Sequence, residues 1–153
     1  MKNNTYFDEF TRIGTEWTEK HEAHKAKKQG IIDTYGWESE ELKAWYEEEE
    51  KMHFPFADGT CKAYRAWKNS DGDEVIFDEF VWEREAADFI EAFRNAGIES
   101  FVIVNQSTAL MENLHWFENL GCKMQGLCTI VKKDNRFGEE REEKIIGIRI
   151  KVN

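Results

Sequence analysis

The chain has 153 residues, 41% apolar, 14% aromatic and 34% charged, with 31 acidic against 21 basic side chains for a net charge of −10. Six Trp and 11 Phe supply ample surface for a core, which argues against disorder, a coiled coil or a collagen-like chain. The acidic excess disfavours free nucleic acid and anionic membranes as partners, because both need a basic face.

Residues 4–29 carry Tyr6, Phe10, Ile13, Trp17, His21 and His24 at steps of three and four, which is one helical face. Gly30 is the expected stop. Ser39 followed by Glu40 and Glu41 is a helix start, an N-cap with acids at the positive end of the dipole. That second helix carries Leu42, Trp45, Tyr46, Met52 and His53 on one face and must end before Pro55. The two helices are expected to form a hairpin. Residues 60–69 and 74–80 read as a β-hairpin about the turn Ser70-Asp71-Gly72-Asp73. Trp82, Ala86, Phe89, Ile90, Phe93 and Ala96 mark a third helix, ended by Gly97. Phe101 to Val104 is a short buried strand, and Ser107 caps a fourth helix with the stripe Leu110, Leu114, Phe117 and Leu120.

Residues 122–132 and 144–152 make the last hairpin, with Cys122, Met124, Cys128 and Ile130 on one face and Ile146, Ile148, Ile150 and Val152 alternating inward. Its connection holds a turn, Asn135-Arg136-Phe137-Gly138. The expected order is ααββαβαββ. It implies one α/β (α+β) domain over 1–153, a mixed sheet of about five strands with a helical hairpin, 1–56, packed on the sheet and helices of 57–153. Two parallel strands joined by a crossover are expected within 82–132.

No apolar run reaches the ~18 residues of a membrane span. MKNNTYFDEF has no apolar core of an export signal, so a cytoplasmic location is expected. Three cysteines without C-x-x-C spacing are expected to be free thiols, and no catalytic cysteine is expected. Metal sites are not expected. His21 and His24 lack H-E-x-x-H spacing, and Glu50-x-x-His53 and Glu112-x-x-His115 lack the four facing helices of a di-iron bundle. No phosphate-binding glycine loop or G-x-S-x-G elbow occurs, so no cofactor and no catalytic residue are assigned.

Two places stand out as candidate sites. Residues 37–50 hold seven acids against Lys43. They read either as a solvated helix face or as a docking surface for a basic partner, with Glu40, Glu47, Glu48 and Glu50 as its charges and Trp45 as its anchor. Glu49 falls in the middle of the apolar face and needs solvent or a partner such as His53. The second place is the polar stretch after the central strand. There Asn105, Ser107, Thr108, Glu112 and His115 sit where open sheets bind small ligands.

The segment VIVNQSTALMENLHWFENLGCKMQG, with Asn113 and Phe117-Glu118-Asn119-Leu120-Gly121, resembles the C-terminal part of GNAT acyltransferases. That resemblance implies a GNAT-like fold and acyl-CoA chemistry. Where that family carries its glycine-rich phosphate loop, this chain reads Phe80-Val81-Trp82-Glu83-Arg84-Glu85, without glycine. The STALMENLH, GLCTI, NRFGEE and GIRI stretches resemble small uncharacterised accessory proteins of phages and mobile elements of Gram-positive gut bacteria. That likeness implies no activity but a context, in which small acidic inhibitors of host defence, anti-CRISPR proteins among them, are common. With the acidic helix it leads to the expectation of a binding protein for a basic protein surface, such as that of a defence nuclease. A homodimer through exposed aromatics remains a further arrangement. The GNAT-like or small-molecule-binding reading is the alternative.

Overall fold

The computed structural model describes residues 3–134 and 138–153. It divides into two compact units, Met1–Phe56 and Ala57–Asn153. In the first, α1 (Thr5–Tyr35) and α2 (Glu40–Lys51) form the expected hairpin. The Asn4 side chain accepts from the Phe7 N–H to start α1. The helix runs through Gly30 and ends at Gly36, whose φ of 89° is the left-handed conformation glycine favours. A glycine inside a long helix costs only ~1 kcal/mol, which the remaining stripe outweighs. Ser39 Oγ accepts from the Leu42 N–H, as its cap position requires.

The second unit corrects the expected order. Residues 60–69 are not a strand but most of α3 (Asp58–Asn69), followed by β1 (Val75–Phe77), α4 (Glu83–Asn95), β2 (Ser100–Ile103), α5 (Leu110–Asn119), β3 (Lys123–Asp134) and β4 (Arg141–Lys151). The chain is therefore αααβαβαββ, with a mixed sheet of four strands rather than five. The helical period of α3 is carried by small residues, with Gly59, Thr60, Ala63 and Ala66 facing inward. Gly59 lets α3 cross α4 closely, since a Cβ there would lie 2.2 Å from Glu85 O and 2.9 Å from Phe89 N. Ser70 ends α3: its hydroxyl donates to Ala66 O and accepts from the Ile76 N–H, so the bend at 72–74 joins a helix to a strand.

The strand order is β1-β2-β4-β3. β1 and β2 are parallel and joined through α4; β2 and β4, and β4 and β3, are antiparallel. The expected parallel pair thus lies one strand earlier in the chain, and β4 inserts between β2 and β3. Val75, Phe77, Phe101, Ile103 and Ile150 share one face by ladder register. Phe89 of α4 packs there against Phe77, Phe93, Phe101 and Phe117 with centroids 4.6–5.7 Å apart. Each fully buried ring contributes about 2–3 kcal/mol by area, so this cluster dominates the unit's stability.

Pairing between β2 and β4 ends at Ile103–Ile148, and β4 runs on beyond it. That is why Ile150 and Val152 are buried but Ile146, expected inward, is exposed. An irregularity between Met124 and Gly126 places one extra residue on β3. It puts Met124, exposed, on the opposite face from Cys128 and Ile130, correcting the single face expected for them. The turn expected at Asn135-Arg136-Phe137-Gly138 falls at 135–137, outside the described residues.

Candidate functional site

In the first unit, α2 is fixed by its apolar side. Trp45 is buried, so it is not the exposed anchor expected. Its indole N–H donates to His24 O at 2.8 Å and its ring stacks on the His24 imidazole, 4.6 Å between centroids. Lys28 Nζ sits 5.1 Å from the Trp45 ring and 4.9 Å from that of Tyr46, which brings the lysine-rich stretch of α1 onto α2. Glu49 does not pair with His53. One carboxylate oxygen lies 2.7 Å from His21 Nε2 and the other 3.2 Å from His24 Nε2. The half-buried carboxylate on the apolar face is thereby partnered across the hairpin by His21, while its second oxygen and His24 Nε2 face each other without a hydrogen bond.

Glu40, Glu41, Glu47, Glu48 and Glu50 are all exposed; Lys43 pairs with Glu40 at 3.2 Å, and Glu48, on the flank toward α1, lies 3.8 Å from His24 Nδ1. Trp37, in the connection before α2, is 71% exposed, and Tyr46 is also exposed. Trp37 takes the place the sequence reading assigned to Trp45. Its signal was its position outside the helical stripe, between Gly36 and the Ser39 cap.

In the second unit, the polar stretch after β2 does not converge. Asn105 Oδ1 accepts from the Ser107 N–H, and Ser107 O accepts from the Leu110 N–H. Ser107 is therefore part of a turn, and Ala109, with no side-chain bond, is the N-cap of α5. Ser107, Thr108, Glu112 and His115 are exposed, and His115 Nε2 lies 3.3 Å from Asn119 Nδ2. Asn113, between them, is wholly buried. Its Oδ1 accepts from the Val81 N–H at 2.9 Å and its Nδ2 donates to Val81 O at 3.0 Å. This clamp holds the segment ahead of α4, which is a structural duty.

A cleft of about 910 Å³ opens elsewhere in this unit, with apolar lining from Ala66, Ile76 and Ile130 and charge from Arg65, Asp78 and Lys132. Arg65 is engaged by Glu79 at 3.2 Å. Nearby, Lys62 and Glu85 form a buried ion pair at 2.6 Å that ties α3 to α4. Lys62 Nζ also donates to Phe80 O, and the Glu85 carboxylate accepts from the Trp82 N–H. Burial raises the Glu85 carboxyl, but the Lys62 ammonium and the Trp82 N–H outweigh it and hold it below the usual carboxylate range. Burial pushes the Cys61 and Cys122 thiols up, away from the nucleophilic thiolate. Among the described residues no group of three or more His, Cys, Asp or Glu could hold a metal ion, and no helix is long and apolar enough to cross a membrane.

Residues 59–152 match the family described as a domain of unknown function, DUF7698, and the chain belongs to that family. The match covers almost the whole of the second unit and leaves the α1–α2 hairpin outside it. No curated protein and no solved structure matches the chain.

Proposed function

We propose that this DUF7698 member is a binding protein whose α2 docks on a basic surface of a protein partner. The observation that carries the reading is the two-sidedness of α2. Its apolar side is held on α1 by Trp45 and by the bond of Glu49 to His21, while Glu40, Glu47, Glu48 and Glu50 stand exposed, as do Trp37 and Tyr46. Exposed aromatic rings on the same hairpin as a helix face rich in charges of one sign are the composition of a docking surface with electrostatic steering. A basic surface of suitable size is the groove of a nucleic-acid enzyme, and an acidic helix seated there would block it by charge and bulk. On this reading the accessory role is inhibition of such an enzyme.

The test is a pull-down with the tagged chain from a bacterial lysate at low and high salt, read by mass spectrometry. A near-stoichiometric nucleic-acid enzyme lost as salt rises is the expected result. Capture of nothing at low salt, or of a partner indifferent to salt, would overturn it.

A further inference from the structure

A second surface, of opposite charge, lies on the sheet of the 57–153 unit. β3 is an edge strand, bonded to β4 alone, and at 12 residues it is far longer than β1 at the other edge. Among the described residues no backbone hydrogen bond joins its other side to any element. An edge of this length presents a row of N–H and C=O groups ready to pair with another strand. Its flank is also apolar: by register Leu127, Val131 and Ile146 lie on one face, and all three are exposed, Leu127 at 78%.

Charge says which strand fits. Residues 123–153 hold eight Lys or Arg against five Asp or Glu, whereas residues 1–122 hold 13 against 26. The hairpin is thus the basic part of an acidic chain. β3 itself carries Lys123, Lys132 and Lys133 with one acid, Asp134. A second copy paired edge to edge would bring lysines and almost no acid to meet them, the usual way an edge resists its own kind. Alternation places Lys123 and Lys132 on the face opposite Leu127 and Val131. Lys133, on the apolar side, already lies 3.5 Å from Glu140.

We infer that the β3 edge takes up an extended peptide segment in which apolar and acidic side chains alternate. The backbone of the segment continues the sheet. Its apolar side chains extend the Leu127–Val131 face, and its carboxylates meet Lys123 and Lys132 on the other. Strand addition of this kind draws affinity from main-chain bonds and selectivity from alternate side chains.

The test uses the full chain and a fluorescein-labelled peptide alternating valine and glutamate over eight residues, with binding read by anisotropy. Saturable binding is expected, weakened at least tenfold by Leu127→Glu and by Lys132→Glu. Both positions are exposed, so the fold should tolerate the changes. The same peptide N-methylated along one edge should not bind. Absence of saturable binding, or equal binding of the N-methylated peptide, would overturn the inference. So would light scattering that shows a dimer which Leu127→Glu dissociates, since a second copy would then hold the edge.

Discussion

Removing the Asn113 side chain should unfasten the segment ahead of α4. Asn113 is wholly buried and satisfies both the N–H and the C=O of Val81, itself buried, at 2.9 and 3.0 Å. Asn113→Ala leaves two buried backbone groups without partners, and each costs about 1–3 kcal/mol. The expected loss is about 2–6 kcal/mol, a large share of a domain's ~5–15 kcal/mol stability. For a unit of this size that is roughly 10 °C or more in Tm. Asn113→Asp keeps the acceptor for the Val81 N–H but can donate to Val81 O only when protonated. The introduced carboxyl should therefore titrate above its ordinary value of about 3.9 in the folded state. A folded-state value raised in this way gives stability that is full below the ordinary value and lost as pH rises through the raised one. Relative to the parent chain at each pH, Asn113→Asp should be least damaging in acid and most damaging above neutrality. Urea denaturation followed by circular dichroism measures both variants. A loss under about 1 kcal/mol for Asn113→Ala, or a pH-independent deficit for Asn113→Asp, would refute the clamp.

Three further outcomes are expected. Gly59→Ala sets a Cβ 2.2 Å from Glu85 O and should destabilise the second unit by about 1–3 kcal/mol in thermal melts, despite alanine's better helix propensity. Glu85→Gln leaves the buried Lys62 ammonium without its counter-charge and should cost about 3 kcal/mol at neutral pH. Because the Glu85 carboxyl is held below its ordinary range, its contribution is present above that range and lost as pH falls through the lowered folded value. Denaturation curves of the variant should accordingly show a shallower acid limb. Trp45→Phe keeps the stack on His24 but deletes the bond to His24 O, so hydrogen exchange in α1 and α2 should quicken by the equivalent of about 1 kcal/mol.

The helices with large apolar stripes were legible in the sequence, as were the Ser39 cap and the final hairpin. α3 was not, because its inward face is Gly59, Thr60, Ala63 and Ala66, while Tyr64 and Trp67 on its flanks mimic a strand's composition. The burial of Trp45 was hidden for a different reason. Periodicity placed it on the apolar face, but the backbone carbonyl of His24 that receives its N–H, 21 positions earlier, has no signature in sequence. Ser107 shows the limit of reading caps: its side chain was available, yet Asn105 and the Ser107 backbone build a turn, and α5 starts at Leu110. The charge of α2 was legible in full. Trp37 was legible only as an aromatic outside the helical stripes, since its exposure depends on the turn between α1 and α2.

The role of α2 is tested most directly by reversing its charge. Glu40, Glu47, Glu48 and Glu50 are replaced together by lysine, and Glu112 and Glu118 on α5, also exposed, serve as the control reversal. Binding to the captured partner is measured for each by surface-immobilised titration. Loss of at least tenfold in affinity for the α2 reversal alone, with its far-ultraviolet dichroism unchanged, is the expected result. Equal affinity for both reversals would contradict the docking role of α2.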